Sequence, residues 1–346
     1  MNAGNSALRP PDPGIVFESI NAYQRSAALK ATVEVDVFSA VGAGDRTVES
    51  IPKATNASPR GVRILCDYMT LSGFLLKDAD RYSLSIEAAT FLDRNSPAYF
   101  GSAAYFMLNP HLIAGFQDLS AVVRAGTTTL PEQGTVTPDN PLWVDFARQM
   151  APMVHPSAHE IAELAAGEGE LRVLDIAAGH GLFGIAIAQR NPKAQIIALD
   201  WARVLTVASE NARQFGVADR YSTLEGDAFQ VEFGGPYDLI LVTNFFHHFD
   251  PPTCESLMRK ILGALASGGR CVTLDFIPNE DRVSPPVAAS FALMMLGTTP
   301  HGDVYTFAEY QRMFERAGFA SSQLHSLQRS LESVIVSRKN WCVSPG

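Results

Sequence analysis

The stretch VLDIAAGHGLFGIAIA, Val173–Ala188, decides the fold of this chain. Its apolar start predicts a buried strand, which ends at Asp175 and a glycine loop that leads into an apolar helix. A strand, a tight loop and a helix in this order bring backbone N–H groups close to a polar cofactor. Gly179, Gly181 and Gly184 fit the GxGxxG pattern, which is also found in proteins that bind nicotinamide or flavin dinucleotides. The pattern by itself leaves the cofactor open.

Strands and helices alternate through the rest of the C-terminal half. This alternation predicts an α/β fold, with a doubly wound, mainly parallel seven-stranded sheet of Rossmann-like type that is covered by helices on both faces. A helix is predicted from Thr306 to Ala317, before the last two strands. The predicted strands are residues 171–176, 194–199, 220–225, 238–243, 269–277, 321–327 and 332–337.

The N-terminal part of the chain has a mostly helical pattern. A helix is predicted over residues 21–41, a second short helix begins at Ile51, and a third begins at Pro59 with Ser58 as its N-cap. The segment LLKDADRYSLS, residues 75–85, then predicts a β-hairpin around its DAD turn. Three helices followed by a hairpin predict a winged-helix domain.

The length of 346 residues, nearly half of them apolar, predicts two domains and a connecting segment. We expect a winged-helix domain over residues 1–125, a linker with connecting helices over 126–168, and the cofactor-binding domain over 169–346. The connector contains a helical pattern at residues 143–164, which we expect to be interrupted near Pro152 and Pro156.

The charge and composition of the chain limit the kinds of molecule that it can bind. The formal net charge of −9 argues against a nucleic-acid footprint, and the third helix offers only Arg60 and Arg63 beside Asp67. The apolar helices of the N-terminal domain favour association with a second copy of the chain instead. The N-terminus lacks the features of a signal peptide and no segment is long and apolar enough to span a membrane, so we expect a cytoplasmic protein. The cysteines lack metal-binding spacing and are expected to be buried thiols: Cys66, Cys254, Cys271 and Cys342.

Acidic residues follow the first three strands of the predicted sheet. Asp175 ends the first strand, Asp200 ends the second, and Asp227 lies in the GDAF segment after the third. Each one alone is also compatible with a helix cap or a turn. Because parallel strands end at one edge of a sheet, we expect the three carboxylates in one ligand cleft, with Asp200 placed to bind ribose hydroxyls.

Four segments in this order carry a specific resemblance: VLDIAAGHG, ALDWA, EGDAF and NFFHHFDPPTCESL. They resemble the motifs of S-adenosylmethionine-dependent small-molecule O-methyltransferases, the group that includes plant caffeate and hydroxyindole enzymes and bacterial polyketide-tailoring enzymes. The winged-helix N-terminus resembles the dimerisation domain of that family. The resemblance implies a class I methyltransferase fold, S-adenosylmethionine as cofactor with S-adenosylhomocysteine as product, a small-molecule acceptor, and a homodimer formed through the N-terminal domain.

The resemblance also assigns a general base. Aligned through DPPTC, the family histidine that deprotonates the acceptor hydroxyl is His247, and His248 is expected to be structural. A phenol has a pKa of about 10, whereas an imidazole accepts protons near neutral pH. Asp275 matches a family glutamate that orients the histidine. A second family glutamate corresponds to Val304, so that partner is expected to be missing unless the adjacent Asp303 replaces it.

The remaining site residues are assigned by the same resemblance. Those expected around the cofactor are Asp175, Ala177, Gly179, Gly181, Asp200, Trp201, Gly226, Asp227, Ala228, Phe229, Thr243 and Met153. Those expected around the acceptor are Met150, Phe246, Met294, Met295 and Thr299. Most of the acceptor set is apolar, which favours a flat, largely apolar acceptor.

Other functions remain open at this point. A metal site at His247, His248 and Asp250 is disfavoured, because adjacent histidines in extended backbone point to opposite sides, and we expect no metal. Within the same fold, a C-methyltransferase or a homologue that does not transfer methyl is the alternative. The glycine pattern is also compatible with an NAD-dependent oxidoreductase. The winged helix is also compatible with a ligand-sensing regulator.

Overall fold

The computed structural model describes residues 11–340, which form two compact units that divide between Leu108 and Asn109. Cys342 and the first ten residues, on which part of the signal-peptide expectation rests, lie outside the described residues. No helix of the described part is both long and apolar enough to cross a membrane.

The N-terminal unit is built from short helices and one hairpin. Its core contains the side chains of Phe38, Ile51, Met69 and Tyr82, each at most 1% exposed. Its elements are α1 (Gly14–Glu34), α2 (Val37–Ala43), α3 (Ser50–Ala54), α4 (Pro59–Leu71), β1 (Leu75–Asp78), β2 (Arg81–Leu84), α5 (Ile86–Phe91) and α6 (Ala103–Met107).

Three of the four N-terminal predictions are confirmed. The second and third helices form as α3 and α4, the Ser58 hydroxyl accepts the Gly61 N–H at 3.4 Å, and β1 and β2 pair as an antiparallel hairpin. The prediction of one helix over residues 21–41 is wrong: α1 begins at Gly14, and the chain breaks at Asp36 (φ 64°) before α2. The change of direction at Asp36 brings Val37 and Phe38 into the core. The sequence gives no sign of this break, because the helical spacing of apolar residues continues across Asp36.

The C-terminal unit is a seven-stranded sheet with helices on both faces. The strand order is β5-β4-β3-β6-β7-β9-β8, with the first five strands parallel and β9 and β8 antiparallel, which confirms the predicted fold class. The strands are β3 (Leu171–Ile176), β4 (Ala194–Asp200), β5 (Tyr221–Glu225), β6 (Tyr237–Thr243), β7 (Leu265–Asp275), β8 (Ser321–Ser326) and β9 (Ser333–Arg338). The helices are α7 (Pro110–Ala114), α8 (Leu119–Ala125), α9 (Leu142–Gln149), α10 (Ala151–Ala165), α11 (Leu182–Arg190), α12 (Ala202–Gln214), α13 (Pro251–Ala264), α14 (Pro286–Thr298) and α15 (Phe307–Ala317).

The two helices α9 and α10 form the predicted connector and lie in the C-terminal unit. The helical pattern breaks at Met150, next to Pro152, as predicted. The interruption predicted at Pro156 is wrong, because α10 continues through it. Pro156 cannot donate a helical hydrogen bond to the carbonyl of Pro152, but burial of Ala158 and Ile161 on the same helix stabilises the element.

Strand register brings the functional residues to one edge. Ile176 pairs with Leu199, and Thr243 pairs with Leu274. The residues that follow these strands therefore meet at the carboxyl edge of the sheet. Each face carries a separate apolar core, one against α10 and α11 and the other against α13 and α15.

Candidate active site

The glycine loop is held from beneath by a buried carboxylate. Asp175 has no exposed surface, and its Oδ2 accepts the N–H of Gly184 at 3.1 Å. Its Oδ1 is buried without a partner among the described residues, and burial raises the pKa of this carboxyl to about 7. Gly179 and Gly181 have φ values of +57° and +75°, a region that favours glycine, so the turn requires them. Ala177 also has a positive φ, of 53°.

Asp200 connects this loop to the end of β4. One carboxylate oxygen accepts the N–H of Gly179 at 2.8 Å, and the other accepts the N–H of Trp201 at 2.7 Å. Each oxygen keeps a lone pair for a further donor. Burial raises the pKa of this carboxyl to about 6. Trp201 packs against Val204 and Val207 of α12.

The GDAF segment makes a second turn beside Asp200. The N–H of Gly226 donates to the Asp200 carbonyl at 3.1 Å, and the Asp227 carboxylate accepts the N–H of Phe229 at 2.8 Å. The carbonyl of Ala228 accepts a hydrogen bond from the Lys260 ammonium at 3.0 Å. The ring of Phe229 lies within about 6 Å of two further phenylalanine rings, those of Phe245 and Phe249. This turn therefore presents an aromatic cluster beside polar backbone.

His247 lies at the same edge, in a 3-10 turn directly after β6. Its Nδ1 is 2.6 Å from Oδ1 of Asp275, the last residue of β7. The other oxygen of Asp275 accepts the Tyr310 hydroxyl at 2.6 Å, and the Phe276 N–H donates to Oδ1 at 2.8 Å. All three side chains are at least 97% buried. The structure thus brings together the two residues to which the sequence assigned catalysis.

Tyr310 is a part of this network that sequence reasoning missed. It comes from α15, 35 positions after Asp275, and burial raises its pKa well above the ordinary value. A tyrosine on an amphipathic helix gives no local signal that its hydroxyl will reach a carboxylate on another element. Phe276 and Phe291 were also missed; their rings stack at 4.1 Å, and that of Phe291 lies 5.0 Å from the His247 ring.

Asp303 does not face His247. Its carboxylate accepts the N–H of Val304 at 2.8 Å and lies 3.9 Å from the Arg282 guanidinium on the surface. Its backbone N–H instead donates to the carbonyl of His247, at 3.0 Å. Val304 is buried and apolar. The carboxylate that the resemblance implies at this position is therefore missing here.

His248 lies between aromatic rings. Its ring is 5.2 Å from that of Trp143, and its Nδ1 is buried without a partner among residues 11–340. Burial lowers its pKa well below the ordinary value. Asp250 caps α13 by accepting the Thr253 N–H at 2.9 Å. Within the described part of the chain, no three His, Cys, Asp or Glu side chains are arranged to hold a metal ion.

The residues assigned to the acceptor differ in their surroundings. Phe246 has no accessible surface and packs against Tyr310 and Phe314, so its ring belongs to the core. The Thr299 hydroxyl is held locally, since it donates to the Met295 carbonyl and accepts the Gly302 N–H. Of the other residues assigned to the acceptor, Met150 and Met295 are buried and Met294 is half-buried. Two residues assigned to the cofactor also differ, since Thr243 is buried and Met153 is 38% exposed.

Comparison with known proteins decides the family. An O-methyltransferase domain model matches residues 118–320, more than half of the chain, and an O-methyltransferase dimerisation domain model matches residues 17–94. The chain belongs to the O-methyltransferase family. This confirms the predicted family of S-adenosylmethionine-dependent methyltransferases and, with it, the predicted class of enzyme.

Full-length relatives support the assignment to the O-methyltransferase family. A candidate O-methyltransferase of Nostoc punctiforme PCC 73102, known from its crystal structure, is 52% identical, covers 96% of this chain and 100% of its own, and superposes with a TM-score of 0.92. The 3-hydroxy-5-methyl-1-naphthoate 3-O-methyltransferase of Streptomyces sahachiroi is 25% identical over 92% of this chain and 93% of its own. Human N-acetylserotonin methyltransferase, solved with S-adenosylmethionine, shares the fold at 19% identity, with a TM-score of 0.81 over 97% of this chain and 99% of its own.

Proposed function

We propose that this O-methyltransferase transfers the methyl group of S-adenosylmethionine to a hydroxyl of an aromatic or polyketide-like small molecule, with His247 as general base. The contact of 2.6 Å between His247 and Asp275 carries the proposal. It lies at the sheet edge that also holds the glycine loop and Asp200. A base and a nucleoside-binding cleft at one edge are what a methyl transfer to oxygen requires.

The residues at the edge fit the cofactor. Asp200 retains lone pairs for the two ribose hydroxyls, and Asp227 with the Phe229 ring suits the adenine. Gly179 and Gly181 have no side chains, and the ring of His180 between them is buried, which suits binding of the methionine end by the loop backbone. Asp175 is fully buried, which supports a role in orienting the loop rather than direct contact with the cofactor.

The proton transfer follows from how the imidazole is held. Nδ1 faces the Asp275 carboxylate, so Nε2 is the nitrogen available to the acceptor hydroxyl. The bound cofactor supplies an electrophilic methyl group on a sulfonium, so the chemistry on the protein side is removal of one proton. Asp275 stabilises the imidazolium that results, and the Tyr310 hydroxyl keeps that carboxylate in place.

The rings beside His247 indicate the shape of the acceptor. Phe276 and Phe291 form a stacked pair next to the imidazole, both of them only partly buried. A flat aromatic ring can pack against such a pair by stacking or edge-on contact. We therefore propose a phenol or a polyketide-derived ring as acceptor, without a metal ion at the site.

We also propose that the N-terminal unit forms the homodimer. Helix α1 exposes a row of large apolar side chains, each more than half accessible: Ile15, Val16, Phe17, Ile20 and Tyr23. A groove of about 520 Å³ in the same unit is lined by residues of α1 and α4, including Ala28, Val62 and Leu65. Exposed apolar surface of this kind is typical of an association site.

The experiment that tests the reaction is incubation with methyl-labelled S-adenosylmethionine and a panel of phenols and aromatic polyketides. We expect labelled product with the methyl on oxygen, located by mass spectrometry and NMR. A product methylated on carbon would replace the proposal with the C-methyltransferase alternative. Thermal stabilisation by NAD but not by S-adenosylhomocysteine would overturn it in favour of an oxidoreductase.

A further inference from the structure

We propose that Glu332, which lies outside the site described so far, is a positioning residue that tunes the proton affinity of His247 through its charge. The inference rests on the proposed function. Glu332 is contributed by the turn between β8 and β9, more than 80 positions after His247 in the chain.

The backbone places Glu332 beside the catalytic pair. It directly precedes Ser333, whose partner across the β7–β9 ladder is Asp275. On the other side, Asn244 follows the last residue of β6 in a left-handed conformation (φ 54°) and donates its N–H to the Leu274 carbonyl at 2.8 Å. The Glu332 side chain interacts with the Asn244 side chain, so it spans the end of β7 from β9 to β6.

Few groups compensate for the charge of Glu332. Its Oε2 accepts the Ser330 hydroxyl at 3.1 Å. Burial raises its pKa to about 7, the Asp275 charge acts in the same direction, and Asn244, Ser330 and His247 oppose the increase. This carboxyl therefore changes charge in the neutral range, where the base has to work.

One other charged group contacts the same turn. The Glu160 carboxylate of α10 accepts the backbone N–H groups of Gln328 and Arg329, at 2.7 and 2.8 Å. Glu160 therefore fixes the backbone of the turn from which Glu332 reaches the site. Among the titratable groups near Glu332, Asp275 raises its pKa and His247 lowers it.

The sign of the effect follows from Coulomb attraction. An ionised Glu332 stabilises the imidazolium form of His247 and so strengthens it as a base. A neutral side chain of the same size removes that contribution. His247 then becomes deprotonated at lower pH, but it accepts the proton of the acceptor less readily.

The test compares Glu332→Gln with the wild type over pH 5.5–9.5. We expect the acidic limb of kcat/KM to move to lower pH by about half a unit, and the plateau to fall by up to about threefold. Glu332→Asp keeps the charge and should stay closer to the wild type in both respects. Glu315→Gln, an exposed position on α15, serves as the matched control and should leave the profile unchanged.

A readout independent of turnover is the NMR titration of the His247 ring carbons in histidine-labelled protein, assigned by their loss in His247→Gln. We expect the midpoint to move to lower pH in Glu332→Gln but not in Glu315→Gln. If Glu332→Gln is active and both its His247 titration and its pH–rate profile coincide with those of the wild type, the inference is overturned. The proposed function would remain intact. Failure of the wild type to methylate any acceptor counts against the proposed function, while the NMR titration still decides the inference.

Discussion

The Nδ1 atom of His247 faces Asp275, so the imidazole can offer only Nε2 to an acceptor. Asp275 in turn bonds the Tyr310 hydroxyl and the Phe276 N–H. These contacts fix the tautomer and orientation of a side chain that is 3% exposed. Two substitutions distinguish the role of His247 as the base from the roles of the groups that orient it.

Replacement of His247 by alanine removes the proton acceptor but none of the residues assigned to the cofactor. We expect turnover to fall by about 10²–10⁴-fold, the usual contribution of general base catalysis, while S-adenosylhomocysteine binding measured by calorimetry is retained. His159→Ala, at an exposed position of α10, should keep full activity. Full activity in His247→Ala would show that another group is the base.

Replacement of Tyr310 by phenylalanine leaves one oxygen of the buried Asp275 carboxylate without its donor. We expect the unfolding free energy to drop by about 1–3 kcal/mol, and turnover to fall less than in His247→Ala. Tyr305→Phe is a matched control, because it removes a buried hydroxyl that donates to the Phe249 carbonyl instead. Equal turnover in both tyrosine variants, measured at saturating cofactor, would contradict a role for Tyr310 at the base.

At the scale of elements, the turn between β3 and α11 joins the sheet to the cofactor site. Gly181 ends this turn as the N-cap of α11, with a φ of +75°. A Cβ at this position would collide with the Tyr221 hydroxyl and lie 3.0 Å from the Cβ of Ala208 on α12. Here both the backbone conformation and the space require glycine.

Gly181→Ala should therefore weaken both folding and cofactor binding. We expect a loss of about 1–3 kcal/mol in unfolding free energy from strain and overpacking, with at least about tenfold weaker binding of S-adenosylhomocysteine. Gly167→Ala is the control, since φ is +58° there but no atom lies within 4 Å of the added Cβ. Gly167→Ala should lose stability because of backbone strain, but it should bind S-adenosylhomocysteine as tightly as the wild type does. Unchanged affinity in Gly181→Ala, measured by calorimetry, would contradict the assignment of this loop.

At the scale of the whole molecule, buried carboxyls make the stability of the cofactor-free protein depend on pH. Burial raises the pKa of Asp175 to about 7 and that of Asp200 to about 6, from an ordinary value of 3.8. Between pH 4 and pH 7 the folded state therefore holds protons that the unfolded chain has released. Since the unfolded state binds fewer protons at these two sites, their contribution to the unfolding free energy falls as the pH rises through this range.

Burial lowers the pKa of His180 and His248, which act in the opposite direction below about pH 6.5, so the effect of Asp175 is isolated by comparison with a variant. We expect the wild type to lose at least about 1 kcal/mol of unfolding free energy between pH 5 and pH 8 relative to Asp175→Asn, whose amide does not titrate, with the free energies taken from urea unfolding. Asp219→Asn, where the side chain is 76% exposed, should follow the wild type. The same pH dependence in Asp175→Asn and the wild type would contradict this description of the buried carboxyl.

The proposed dimer can be tested on α1. Phe17→Glu with Ile20→Glu places two charges in the exposed apolar row, where both side chains are about two-thirds accessible. We expect light scattering to report a dimer for the wild type and a monomer for this variant, because burial of a carboxylate at an apolar contact is unfavourable. Leu324→Glu on β8 is the control and should remain dimeric. A wild-type monomer would contradict the proposal.

Most of the elements could be predicted from the sequence because their signals are local. The strands of the sheet and the β1–β2 hairpin follow from apolar runs and turn residues, and Ser58 marks the start of α4 directly. The break at Asp36 could not be predicted, since the apolar spacing continues across it. The opposite error occurred at Pro156, where a helix break was predicted but α10 is continuous. Burial of α10 in the tertiary structure outweighs one missing backbone hydrogen bond.

The sequence by itself determined the α/β class, the glycine loop, and the positions of Asp200, His247 and Asp275 at strand ends, since each depends on a short pattern and on the rule that parallel strands end at one edge. Only the tertiary structure decided that Tyr310 reaches Asp275, that Asp303 turns to the surface, and that Glu332 directly precedes the strand partner of Asp275. These contacts join residues on separate elements, and their geometry depends on how α15 and the β8–β9 turn pack against the sheet. No local pattern encodes that packing.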